Sequence, residues 1–185
     1  MAARILTLVG SLRAGSHNRR LAEAAVQIAP EHIEVSVFDG LDTVPFYNED
    51  LDAEGSVPAA AAKLRDAAGE ADALLLVSPE YNGTIPAVLK NAIDWLSRPY
   101  GAGALVNKPV AVVGTAFGQY GGVWAQDEAR KAAKIAGAAV AEDLTLSIPG
   151  SVVRFAELHP VDDAEVTEKL VTVIEGLAAR ATAGV

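Results

Sequence analysis

The feature that most constrains this chain is a repeated alternation. Short apolar runs are followed by segments whose apolar residues recur every three or four positions. Ile5 to Val9 is almost wholly apolar and ends at Gly10, the pattern of a central parallel strand covered on both faces. Beyond Ser11 to Ser16, apolar residues return at Leu21, Ala24, Ala25 and Ile28, and Pro30 closes the series, which predicts a helix. Ile33, Val35 and Val37 alternate with Glu34 and Ser36, as in a half-exposed strand at or near a sheet edge. A second helix is predicted with Ser56 as N-cap, Pro58 in its first turn, and Val57, Ala61, Leu64 and Ala68 along its buried stripe. Ala73 to Val77 reads as a fully buried third strand, and Thr84 and Pro86 open a third helix that runs through Trp95. Pro109 to Ala116 gives a fourth strand. Gly122 to Gly137 gives a helix with Ala125, Ala129, Ala132 and Ala136 inward, and Ala138 to Leu146 a fifth strand. The final helix opens on Asp162 with Glu165 three residues later, the spacing of a capping box, and carries Val166, Leu170, Val173, Ile174 and Leu177 on one face.

Five strands alternating with five helices imply right-handed crossovers and a doubly wound α/β sheet, Rossmann-like or flavodoxin-like. The strand count favours the flavodoxin-like arrangement: a five-stranded parallel sheet of order 2-1-3-4-5 with helices on both faces. The 185 residues suit one domain, residues 1–185, with no internal repeat and no linker. The single long irregular connection is Gly40 to Gly55, and such loops are usually functional or mobile.

Composition removes several classes of function. The net charge of -9 repels phosphate backbones and anionic lipid, so neither nucleic acid nor a membrane surface is an expected partner. The absence of cysteine excludes disulfides, thiolate nucleophiles and cysteine-held metals; redox chemistry would need a borrowed group. No apolar run approaches the roughly 20 residues of a membrane span. The segment after Arg4 lacks the length and cleavage site of a signal peptide, so a cytoplasmic location is expected. No G-x-S-x-G or H-E-x-x-H occurs, and His17, His32 and His159 are dispersed.

In such a sheet, ligands bind beyond the carboxyl ends of the strands, which singles out three loops. Gly10 to Asn18 offers hydroxyls, an amide, the Arg13 guanidinium and the N–H groups of a helix start. These suit a phosphate monoester, while the loop has neither the P-loop Lys-Ser/Thr nor the G-x-G-x-x-G fingerprint. An ordinary turn with Ser16 capping the helix is the plainer reading. Against it, a cation at a helix N-terminus opposes the dipole unless an anion is present. Ser78 to Pro86 sets Tyr81 and Asn82 between two prolines, either a clasp for a planar heterocycle or a stiff turn with Tyr81 over the core edge. Thr115 to Gly122 surrounds Phe117 and Tyr120 with Gly118, Gly121 and Gly122, either for close approach to a ligand or for simple flexibility. Asp162, Asp163 and Glu165 read as helix-start acids rather than a metal site, and Trp95 as core or interface. The stretch Phe46 to Asp50 suits a subunit contact or a substrate rim.

Three stretches carry a resemblance: Gly10-Ser11-Leu12-Arg13 with Ser16 and Asn18; Pro79-Glu80-Tyr81-Asn82-Gly83; and Leu89 to Trp95 followed by Arg98-Pro99. Together they resemble the NADPH-dependent FMN reductase family, which includes bacterial quinone, chromate and azo-dye reductases. The resemblance implies a flavodoxin-like fold holding FMN at a dimer edge, with Ser11, Arg13, Ser16 and Asn18 around its phosphate. It further implies that Pro79, Glu80, Tyr81 and Asn82 line the isoalloxazine ring and that Thr115 through Gly118 approach its pyrimidine end. It makes NADPH or NADH the reductant, a small molecule the acceptor, and a homodimer or homotetramer the assembly. Phe46 to Asp50 is similar to a family stretch that reaches the active site near the interface. The chain departs from many relatives at Ala116, where they carry a hydroxyl, and near Trp124, where they carry a basic residue. A flavodoxin-type electron carrier and an FMN-binding sensor are the competing readings. No protein acid or base is required, because the chemistry would belong to the flavin.

Overall fold

The computed structural model, which describes residues 2–183, places the apolar runs side by side in one parallel sheet. Its strands are β1 (Ala3–Val9), β2 (Ile33–Val37), β3 (Ala73–Val77), β4 (Pro109–Thr115) and β5 (Ala139–Ile148), in the spatial order β2-β1-β3-β4-β5. That is the flavodoxin-like order expected from the sequence. β1 pairs with β3 from Ile5 opposite Ala73 to Val9 opposite Val77, so both strands end at the same level. The loops after β1 and β3 therefore leave the sheet together, with β4 beside them.

Strand alternation sends side chains to two cores. Ile5, Val9, Leu75 and Val77 pack on one face against α1 (His17–Ile28) and α6 (Ala164–Ala183). Leu6, Leu8, Leu74 and Leu76 pack on the other against α2 (Ala59–Glu70), α3 (Ala87–Leu96) and α4 (Val123–Ile135). β3 is buried throughout because helices cover both its faces. The long connection between β2 and α2 is tied to this second layer. Trp95, fully buried, donates its indole N–H to Pro45 O at 2.7 Å, and Asn91 accepts the Tyr47 N–H at 2.8 Å. Arg65 grips Asp52 through two hydrogen bonds of 2.7 and 2.9 Å.

Several boundaries differ from the sequence expectation. α2 starts after Pro58, which is extended at the cap position, and Ser56 belongs to the preceding turn with its N–H on Ala53 O. A residue before proline is biased away from helical angles, so Val57 cannot extend the helix backwards. α3 likewise starts after an extended Pro86, and Thr84 lies in a turn outside it. On α4 the buried alanines are 125, 129 and 133, whereas Ala132 and Ala136 line a groove shared with α3. The cap of α6 is Asp163, not Asp162: its Oδ1 accepts the Val166 N–H at 3.2 Å, while Asp162 ends a 3-10 turn. Arg154 fixes that choice by a fork of 2.6 and 2.9 Å onto the Asp163 carboxylate. It also takes Glu165 at 2.9 Å, so Glu165 closes no capping box. Arg154 lies on a short extra helix, α5 (Ser151–Arg154), that no periodicity announced.

Candidate active site

The loop after β1 turns sharply at Gly10, whose N–H reaches Val77 O at 2.9 Å; a Cβ there would stand 3.1 Å from both Pro79 and Pro86. Ser16 then caps α1, its hydroxyl accepting the Arg19 N–H at 3.3 Å. Among the described residues, the N–H groups of Ser11, Leu12, Arg13, Ala14, Gly15, His17 and Asn18 have no acceptor in the protein. The Arg13 guanidinium makes no ion pair and lies over Gly15, where Nη1 would be 3.1 Å from a Cβ. No carboxylate belongs to residues 10–18. Unpaired N–H groups at a helix start with an unpaired guanidinium and no nearby acid of the same loop form an anion receptor. His17 is held neutral more firmly than usual: burial, then Arg20 and Arg13, lower its pKa. Its ring lies against Phe155 at 5.9 Å.

The loop after β3 is stiffened by a two-residue reversal. Tyr81 and Thr84 exchange N–H to carbonyl hydrogen bonds of 3.2 Å in both directions, and Asn82 and Gly83 between them have φ of 54° and 76°. Positive φ at both central positions is the type I′ requirement, and Asn-Gly is its favoured dipeptide. Sequence alone could have found this turn. The reversal carries the half-exposed Tyr81 back toward the first loop, with its hydroxyl 3.5 Å from Ser11 Oγ. The N–H groups of Asn82, Gly83 and Ile85 lack protein acceptors.

Two side chains assigned by resemblance to ligand contact are occupied by the protein itself. Asn18 is buried, and its amide pairs with both backbone groups of Thr115, Nδ2 to the carbonyl at 2.8 Å and Oδ1 from the N–H at 3.0 Å. It extends β4 as a backbone neighbour would, locking the first loop to the third. Glu80 reaches α4, whose start at Gly122 has no side-chain cap of its own, and accepts the Ala125 N–H at 3.2 Å. A carboxylate suits a helix N-terminus, and this one fastens the second loop to the third.

Thr115, at the end of β4, donates its hydroxyl to Ile148 O at 2.8 Å, and the Ala116 N–H takes the same carbonyl at 3.1 Å. These bonds carry β5 two residues beyond Leu146. Gly121 (φ 63°) lies where a Cβ would be 2.8 Å from the Ser147–Ile148 backbone, whereas Gly118 faces open space. Gln126, buried on α4, donates to Gly121 O at 3.2 Å and accepts from Ser147 Oγ at 2.9 Å. A lone glutamine inside a helical pattern gave no signal of that role. Phe117, Gly118 and Gln119 keep free N–H groups.

Ser11, Arg13, Ser16, Asn18, Pro79, Glu80, Tyr81, Asn82, Thr115 and Gly118 thus all lie on one edge of the sheet. A cleft of about 390 Å³ opens beside the first loop between Arg13, Arg19 and Asp39. A larger cavity, about 740 Å³, lies between the ends of α3 and α4 near Asn107, which precedes β4. It belongs to the amino edge, where ligands of parallel sheets do not bind.

The sheet order defines a flavodoxin-like fold, and the loop chemistry at its carboxyl edge fits a mononucleotide. The chain belongs to the NADPH-dependent FMN reductase family, whose model matches residues 3–152. It is 41% identical over 130 residues to a 2-hydroxy-1,4-benzoquinone reductase from a Burkholderia species, covering 70% of this chain and 69% of that one. It is 42% identical over 127 residues to a quinone reductase of Pseudomonas putida, covering 69% and 67%. Among solved structures, the flavoenzyme NAD(P)H:(acceptor) oxidoreductase FerB of Paracoccus denitrificans superposes with a TM-score of 0.84 at 27% identity, over 98% of both chains. The protein is accordingly an NAD(P)H-dependent oxidoreductase with FMN as its cofactor.

Proposed function

We propose that the three loops hold FMN and that the enzyme delivers two electrons from NAD(P)H to a quinone. The observation that carries the placement is the set of partnerless N–H groups at Ser11 to Gly15, His17 and Asn18 together with Arg13, the complement of a terminal phosphate. Ser11, Arg13 and Ser16 would grip that phosphate. The Asn18 side chain contributes by fixing Thr115, which leaves its backbone N–H free for that phosphate. The backbone at Tyr81, Asn82 and Gly118 would meet the ring, with Pro79 and Glu80 setting the course of that backbone. When bound, FMN supplies hydride acceptance from NAD(P)H and reduction of the second substrate at the same position. The net change is NAD(P)H, a proton and quinone converted to NAD(P)⁺ and hydroquinone. The protein supplies no acid or base. It fixes the loops, and free N–H groups from the second and third loops offer hydrogen bonds to the ring's carbonyl edge.

A quinone as acceptor is supported by the identities of about two fifths to quinone reductases and by the aromatic side chains around the site. Assembly into a homodimer or homotetramer is part of the same reading, supported by Phe46, Tyr100 and Ile135, large apolar side chains left exposed. A cytoplasmic place is supported by dependence on a pyridine nucleotide and by the cysteine-free sequence. No helix of the described residues is long and apolar enough to cross a membrane. The test is steady-state NADPH oxidation by the FMN-loaded protein with quinone varied. Parallel double-reciprocal lines are expected for one shared position, and intersecting lines would overturn it.

A further inference from the structure

We infer that Trp124, backed by Tyr120, is the specificity-determining wall of the acceptor site, selecting neutral planar quinones over anionic oxidants. The inference rests on the FMN placement proposed above. Trp124 occupies the first turn of α4 and is 52% exposed, although it is among the largest apolar side chains in the protein. It is not adrift. Its ring stacks at a tilt on Tyr120, 5.2 Å between centroids, and its Cε3 lies 4.0 Å from where a Cβ of Gly83 would stand. The indole thus leans on the rigid Tyr81–Thr84 reversal, with Tyr81 on that same turn. Two loops that flank the proposed ring position are joined at their rim by aromatic surface.

The charges of this rim are one-sided. Residues 78–86 and 115–126 contain no lysine or arginine, and their one acid is Glu80. Beyond them comes Asp127, paired with Arg130. The free cation of the site, Arg13, belongs to the phosphate loop, and the whole chain carries a net charge of -9. An anionic acceptor would therefore approach against the field with no cation at the rim to receive it. A flat uncharged ring would find aromatic faces to stack on, an arrangement favourable beyond the area it buries.

The test uses FMN-loaded enzyme reduced photochemically, so that nicotinamide binding does not enter, and mixed with 1,2-naphthoquinone or its 4-sulfonate. The two acceptors share a ring and differ in charge. The parent should reoxidise faster with the neutral quinone, and Trp124→Lys should shift the neutral-to-sulfonate rate ratio downward by about tenfold or more, the scale of a lost stacking contact combined with a gained cation. Trp124→Phe should keep the parent's ratio within about threefold. A binding readout runs beside it. Trp95 is fully buried and Trp124 half-exposed, so naphthoquinone added to oxidised enzyme should quench the emission that Trp124→Phe removes. An unchanged ratio in Trp124→Lys, or emission from Trp124 that neither naphthoquinone nor acrylamide quenches because a second copy covers it, overturns the assignment. A parent enzyme that retains no FMN overturns the underlying placement instead, and is recognised before any acceptor is added.

Discussion

Replacing Asn18 with alanine separates a strut from a ligand. In the folded protein the Asn18 amide satisfies both the N–H and the carbonyl of Thr115, at 3.0 and 2.8 Å, in a buried setting. Alanine leaves two buried backbone groups without partners, and each such group costs about 1–3 kcal/mol. A total of about 2–6 kcal/mol, at about 2–4 °C per kcal/mol for a chain of this size, lowers the melting temperature of the apoprotein by about 4–24 °C. The same change frees the third loop, so flavin must reorder it on binding. A coupling of about 1.4 kcal/mol is a tenfold loss of affinity, and it should fall equally on FMN and on riboflavin, which lacks the phosphate. Asn18→Asp, the milder variant, retains an acceptor for the Thr115 N–H but sets an oxygen against the carbonyl, and should lie between parent and alanine in melting temperature. Differential scanning fluorimetry of apoprotein and fluorescence titration with the two flavins provide the readouts. An Asn18→Ala protein that melts within about 2 °C of the parent, or that loses affinity for FMN alone, would refute the strut.

Arg13→Ala makes the opposite contrast: its guanidinium has no protein partner, so FMN affinity should fall about tenfold to a hundredfold by titration, with riboflavin binding and melting temperature unchanged. Thr7 lies fully buried in β1 with a hydroxyl that has no hydrogen-bond partner, and Thr7→Val should raise stability toward urea by about 1 kcal/mol. Gly121→Ala should be severely destabilising, because a Cβ would stand 2.8 Å from the β5 backbone, whereas Gly118→Ala, in open space, should melt with the parent. Asp163 has its pKa lowered below the ordinary 3.8, first by the hydrogen bond from Arg154. Its contribution is therefore complete above that value and is lost as pH falls through the depressed one. Asp163→Asn should be less stable than the parent at neutral pH in urea titrations, and the gap should close only on acidification below about pH 3.8.

The sheet was legible because its strands announce themselves twice, by apolar runs such as Ala73 to Val77 and by the glycines and polar residues that end them. Helix stripes were legible for the same reason, and the helix starts less so. Ser56 and Asp162 are good capping residues by type, but the Val57-Pro58 step and the grip of Arg154 on Asp163 decide the starts. Arg154 lies on α5, nine residues away in sequence from Asp163 and invisible to any local pattern. The three loops of the site were found by counting strands and asking where they end. What composition could not reveal is which polar groups remain free for a ligand. Asn18 and Glu80 are assigned to the ligand by the family resemblance, and what the fold adds is that their side chains also join the loops, Asn18 through Thr115 and Glu80 through the Ala125 N–H. Arg13, adjacent and equally polar, is left free. The Asn82-Gly83 turn was in plain view as a dipeptide, and only its rigidity, through the paired bonds of Tyr81 and Thr84, needed the structure.

The most direct measurement is an anaerobic titration in one cuvette. Purified protein is loaded with FMN, desalted, bleached with NADPH and then mixed with a quinone. The expected result is one FMN retained per chain, loss of the yellow absorbance on adding one equivalent of NADPH, and its full return on adding one equivalent of quinone. A protein that retains FAD in preference to FMN, or that holds FMN which NADPH and NADH both leave oxidised, would contradict the placement of cofactor and reductant on this edge of the sheet.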